Sequence, residues 1–131
     1  MLALKTVLTQ ADPTGTLIFD EVDAGIGGRM AEIVGRKLRA LGATHQVLCV
    51  THLPQIAALG NRHVLVSKHA KAGQTYTRAE ALGEREQVQE VARLLSGMEV
   101  TSRSLASAEE MVSRGRDAGA SRGSQERPEW G

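Results

Sequence analysis

Residues 16–21 read Thr16-Leu17-Ile18-Phe19-Asp20-Glu21, a short apolar run that ends in two adjacent carboxylates. Turn chemistry at Asp12-Pro13-Thr14-Gly15 precedes it. An unbroken run of this length predicts a strand buried on both faces, the kind found in parallel sheets. A second such run, residues 46–50, ends at Thr51-His52. Ligands of open α/β sheets bind beyond the carboxyl ends of the strands, so both runs deliver polar side chains to the right end. An aspartate there suits the oxygen-rich, water-keeping shell of magnesium. The next residue, Glu21, points elsewhere and is fit to orient or deprotonate a water. His52 can donate to a phosphate oxygen. Taken alone, each feature has a plainer use: an acidic pair caps a strand at the surface, and a histidine after a strand is more often structural.

Outward from these strands, the pattern predicts a helix over residues 1–9, from Met1, Leu4 and Leu8. A glycine-rich connector, Asp23-Ala24-Gly25-Ile26-Gly27-Gly28, leads into a helix marked by Met30, Ile33, Val34, Leu38 and Leu41 and stopped by Gly42. Pro54 opens a short helix over 55–59. Residues 63–68 and 75–82 read as two strands joined across Lys71-Ala72-Gly73-Gln74, a hairpin on a sheet edge. Val88, Val91, Ala92 and Leu95 mark one further amphipathic helix, and Leu105, Ala108 and Val112 mark the last. Strand–helix–strand order with buried strands predicts an α/β fold with a mainly parallel sheet, flanking helices and an edge hairpin. From Ser113 the composition loses periodicity, which predicts a disordered tail over 113–131.

The bulk numbers narrow the function class. At 131 residues the chain can bury one modest core. A net charge of +1 neither demands nor excludes a nucleic-acid partner. The three aromatics, Phe19, Tyr76 and Trp130, are too few for a base-stacking platform. In the tail, Arg114, Arg116, Arg122 and Arg127 stand against Asp117, Glu126 and Glu129, an excess too small to hold duplex DNA. The lone Cys49 fits a reducing compartment and reads as a small buried apolar residue. No run has membrane-spanning length, and no signal-peptide pattern opens the chain.

Other features are decoys. The connector 23–28 lacks the Gly-x-Gly-x-x-Gly spacing of a dinucleotide site. Leu95-Ser96-Gly97-Met98 resembles a Leu-Ser-Gly-Gly signature, but it follows a helix, whereas anion binding needs a helix start. His45, His63 and His69 stay structural, and the four histidines with one cysteine show no zinc-ligand spacing.

The stretches Asp20-Glu21-Val22-Asp23-Ala24-Gly25-Ile26-Gly27-Gly28 and Val50-Thr51-His52-Leu53-Pro54-Gln55, taken together, closely resemble the RecN family, in the SMC-like branch of ABC-type ATPases. The resemblance covers roughly residues 1–112. It implies the C-terminal lobe of a P-loop ATPase head, with ATP and Mg2+ as cofactors. Asp20 matches the Walker B aspartate that holds the metal, Glu21 the catalytic base and His52 the switch histidine at the γ-phosphate. Asp23, Gly25 and Gly27 fall in the D-loop, which packs near the nucleotide across a head-to-head homodimer. Gly27 stands where most ABC ATPases carry aspartate, so no single D-loop side chain is singled out. No Gly-x-x-x-x-Gly-Lys-Ser/Thr loop occurs in the chain. The chain is therefore expected to be a C-terminal fragment, inactive without an N-terminal half that supplies that loop and the signature. The family function implied is recombinational repair of double-strand breaks, on double-stranded DNA ends, in the cytoplasm at the nucleoid. The alternative is a non-catalytic interaction lobe that docks on a partner protein.

Overall fold

A computed structural model describes residues 15–120 of the chain. The helix expected over 1–9 and most of the turn at 12–15 lie outside the described residues, as do residues 121–131.

The first strand, β1 (Thr16–Phe19), pairs in parallel with β2 (Gln46–Cys49), in the register Thr16↔Gln46 through Phe19↔Cys49. The connection between them is α1 (Gly28–Leu41). One face of the pair is covered, because the pleat sends Leu17, Phe19, Val47 and Cys49 towards the apolar stripe of α1. Phe19, Ala31, Val34, Leu38, Leu41 and Ile56 form that core. Helix α1 has no side-chain cap at Gly27, so the packing of its stripe carries most of its stability.

Next come the single turn α2 (Pro54–Ala57), then β3 (Val64–Lys71) and β4 (Gln74–Ala81). The expected hairpin forms, closed by Ala72 and Gly73 with φ of 50° and 76°. Two positive φ angles in a two-residue loop match the right-handed strand twist. It does not sit on the edge of the parallel sheet. Each strand pair is a separate two-stranded sheet, so the described chain is mixed α/β, with less parallel pairing than expected. The cause lies in the residues: β4 is exposed throughout and β3 buries little, so neither strand offers the continuous apolar faces that parallel neighbours need.

The last two helices, α3 (Glu84–Ser96) and α4 (Ser102–Ala120), pack on each other and form a second core of Ala58, Val91, Ala92, Ala108 and Val112. Helix α3 ends at Gly97 with φ 78°, so Leu95-Ser96-Gly97-Met98 is a helix C-terminus, as its position after the apolar repeat predicts. Thr101 and Ser104 cap α4 reciprocally, each hydroxyl accepting from the other residue's amide at 3.1 and 2.9 Å. Residues 113–120, expected to be disordered, instead continue α4. The reason is a face made of small residues, which carries no hydrophobic periodicity. Gly115 is buried against the Ala58 carbonyl, where an added Cβ would lie at 2.7 Å. Arg116 pairs with Glu84 at 3.3 Å and Arg114 with Glu110. Helix α2 and its C-cap join the two cores, Ile56 entering one and Ala57 with the C-cap Ala58 the other.

Candidate functional site

Parallel pairing places the ends of β1 and β2 side by side. The Val50 amide donates to the Phe19 carbonyl at 2.9 Å, which carries the register one residue past each strand. Asp20 and Glu21 leave β1 at that end, and Thr51 and His52 leave β2 beside them. Both carboxylates of the pair are exposed to solvent. Glu21 adopts a left-handed backbone with φ 55°, uncommon for a residue with a Cβ and costing about 1–2 kcal/mol. Its carbonyl accepts from the Ala24 amide at 3.2 Å, and a second turn follows, from the Ile26 amide to the Asp23 carbonyl at 3.3 Å. Gly25, at φ 73°, takes the other left-handed position of the connector. Gly27 is the extended N-cap of α1. The Gln55 side chain lies over Gly28, where a Cβ would stand 3.2 Å from Nε2.

Asp23 holds this corner together. Its Oδ2 accepts from the Thr51 hydroxyl at 2.7 Å and the His52 amide at 3.1 Å, and the His52 Nδ1 lies 3.0 Å away. Thr51 Oγ1 in turn accepts from the Leu53 amide at 3.0 Å, which fixes the approach to α2. The Asp23 side chain is only 7% exposed, whereas the His52 side chain is 79% exposed and reaches outward. Covering the carboxylate tends to raise its pKa. The bonds from Thr51 and His52, with the nearby imidazole, outweigh that and hold it below the ordinary 3.8. The loop after β1 is thus tied to the loop after β2 through one buried, ionised oxygen.

The remaining groups are passive. Burial and the charges of Asp23 and Asp20 push the Cys49 thiol up to about 11, so it stays protonated and a poor nucleophile. His45 shares a hydrogen bond with Thr44 and His69 with Ser67, both away from the corner. Burial lowers the pKa of His63 against the opposing charge of Glu90, and its Nδ1 has no partner.

All six residues singled out from sequence, Asp20, Glu21, Asp23, Gly25, Gly27 and His52, fall in the two loops of this one corner. The inward role of the Asp23 side chain and the participation of Thr51 were not foreseen, since nothing in their spacing distinguishes them from ordinary loop residues. Asp20 with water suits magnesium, which seldom uses an all-protein cage. The described residues contain no group of three or more His, Cys, Asp or Glu that could enclose a metal. No helix among them is long and apolar enough to cross a membrane.

A mixed α/β unit with acidic and imidazole side chains at adjacent parallel strand ends is the class that this geometry defines. No family model matches the chain. Among curated proteins, "DNA repair protein RecN" of Vibrio cholerae is 47% identical over 111 residues, which is 85% of this chain and 20% of that protein. The protein of the same name in Treponema pallidum is 51% identical over 116 residues, 88% of this chain and 20% of its own length. That of Bacillus subtilis is 39% identical over 112 residues, 86% and 19%. The chain belongs to the RecN family, to its C-terminal part. It spans about one fifth of the length of these relatives.

Proposed function

We propose that this chain is the C-terminal lobe of a RecN-type ATPase head that acts in recombinational repair of DNA double-strand breaks. The observation that carries the reading is the corner itself. Two adjacent parallel strands bring Asp20 and Glu21 beside His52, and buried Asp23 locks their loops together. In this role Asp20 holds Mg2+ through water, Glu21 orients and deprotonates the attacking water, and His52 meets the terminal phosphate of ATP. Bound magnesium would supply charge neutralisation as negative charge develops on the phosphoryl oxygens. The solvent-open carboxylates and outward imidazole leave these groups free for such contacts.

The partner is the N-terminal half of the head, with its phosphate-binding loop and signature, and the complete protein acts as a head-to-head homodimer on double-stranded DNA ends. A bare sheet face supports this need for a partner. Ile18, Leu48 and Val50 are 71%, 49% and 60% exposed on the face of the parallel pair away from α1. Parallel sheets are ordinarily covered on both faces.

The test is to combine this chain with a polypeptide carrying the complementary half and to follow ATP hydrolysis. The wild-type pair hydrolyses ATP. Glu21→Gln lowers turnover by about 10²–10⁴-fold while nucleotide binding persists. The bare face also suits a second reading, a non-catalytic lobe docked on a partner. That reading requires association that is indifferent to Asp20, Glu21 and His52 together with absence of turnover, and a Glu21→Gln pair as active as wild type would sink the assignment of the base.

A further inference from the structure

The net charge of +1 hides an uneven distribution. Residues 61–82 hold Arg62, Lys68, Lys71 and Arg78 against a single carboxylate, Glu80, so the rest of the chain is net negative. Three of those cations, Lys68, Lys71 and Arg78, stand on the β3–β4 hairpin, where residues 68–81 are exposed without a break. Arg78 reaches Glu80 at 2.6 Å, while among the described residues Lys68 and Lys71 stand in no ion pair. The register sets their directions. Lys68, opposite Thr77, projects from one side of the ribbon, and Lys71 and Arg78, opposite Gln74 and Ser67, project from the other. Strands advance about 3.4 Å per residue, so Lys71 lies roughly 20 Å along the ribbon from the level of Glu80. That is well beyond the Debye length of about 8 Å at physiological salt, so the tip keeps its positive potential.

We propose that the hairpin is a duplex-DNA contact in which Lys68, Lys71 and Arg78 neutralise backbone phosphates. Cations on both faces decide among polyanions. A flat acidic surface, whether a membrane or a protein face, meets one side of a ribbon and leaves the other unused. The major groove of B-DNA, about 12 Å wide, admits a two-stranded ribbon and carries phosphates along both walls. The major groove of A-form RNA is too narrow and deep for this. Thr75 and Thr77, exposed beside the cations, add hydroxyl donors for phosphate oxygens. Contacts of this kind position a protein on the duplex and read no sequence. The proposal rests on the DNA-repair reading in taking DNA as the partner, although the cationic ribbon stands without it.

The experiment is fluorescence anisotropy of a short labelled DNA duplex with the full 131-residue chain, without nucleotide. With three phosphate contacts, affinity is expected to fall about 40-fold as salt rises from roughly 50 to 200 mM. Lys68→Ala combined with Lys71→Ala leaves one contact and a fall of only about fourfold, the same on duplexes of different sequence. Lys71→Arg keeps the charge and the wild-type salt dependence. So does Lys37→Ala, which removes an equal charge from the exposed side of α1. A wild-type chain that does not bind at the lower salt overturns the proposal, as does a double variant with wild-type salt dependence. A Lys37→Ala loss equal to that of Lys71→Ala overturns it too, since the attraction would then belong to no one surface. Equal affinity for polyglutamate or for vesicles containing phosphatidylserine overturns the choice of duplex. The assay holds no ATP, so it separates the two readings. Hairpin-dependent binding with an inactive Glu21 site breaks the ATPase reading alone, and an active head that binds DNA without the hairpin lysines breaks this one alone.

Discussion

The chain contains two strand pairs, and they differ in almost everything except being two-stranded. The parallel pair has strands of four residues, one face packed on α1, and every candidate site residue beyond its carboxyl end. The hairpin has strands of eight residues, an exposed β4 and none of those residues. Longer pairing has not produced a better platform for chemistry. The short pair holds its loops because its carboxyl end is fixed by two buried residues, Phe19 in the core under α1 and Asp23 in the corner beyond the strands. The hairpin is held chiefly by its own ladder and turn, a marginal arrangement in water.

The largest effect that probes this contrast is removal of one aromatic from each pair. Phe19→Ala leaves a void under the site and is expected to cost about 3–5 kcal/mol. Tyr76→Ala, at a half-exposed hairpin position, should stay within about 0.5 kcal/mol. Denaturant unfolding checks both, and equal losses would remove the distinction between an anchored and an unanchored pair.

A smaller effect concerns Asp23 and acid. Its folded-state pKa lies below 3.8, so its contribution is fully present above that value and is lost as pH falls through the depressed folded one. The stability advantage of wild type over Asp23→Asn should thus be constant near neutrality and shrink only below pH 3.8. Unfolding free energies of both proteins across the acid range test the sign. An advantage that grew with acid would contradict an ionised Asp23.

The smallest effects come from a backbone conformation that both regions share. Glu21 and Ala72 each carry a side chain at positive φ, 55° and 50°. Ala72→Asn should raise stability by about 0.5–1 kcal/mol, since asparagine tolerates this region in a hairpin loop. Glu21→Gly should raise it similarly, yet abolish turnover in the complete head. Thermal melts with an ATPase assay separate the two. A stabilised hairpin with lost activity, or a relaxed Glu21 loop with full activity, would reverse the assignment of strain to function.

The legible parts of this molecule are those in which apolar side chains keep a period. β1, α1, α3 and the hairpin turn stand where Leu17-Ile18-Phe19, the Val34–Leu38–Leu41 stripe, Val91 with Ala92, and Ala72-Gly73 predict them. That the candidate residues share one corner was legible too, because strand ends collect polar residues that have no place in the core. What escaped was packing by absence of side chain. Gly115 joins α4 to the Ala58 turn through its missing Cβ, and a run of Ser, Gly and Arg reads as a tail until its neighbour is known. The independence of the hairpin escaped as well, since pairing partners are a tertiary choice that alternation does not encode. The inward turn of Asp23 depends on Thr51 and His52, which are distant in sequence and close only once β1 and β2 pair.

The most direct test of a nucleotide site at these strand ends is paramagnetic broadening by Mn2+·ATP in the complete RecN-type head, read on the 15N-labelled histidines of this chain. Manganese takes the place of magnesium, and the broadening falls steeply with distance from it. The expected result is that the His52 signals are lost first, while His69 on the hairpin is spared, and that Asp20→Asn weakens the effect. Broadening of His69 equal to that of His52, or none at His52 with nucleotide bound, would contradict a nucleotide site at the ends of β1 and β2.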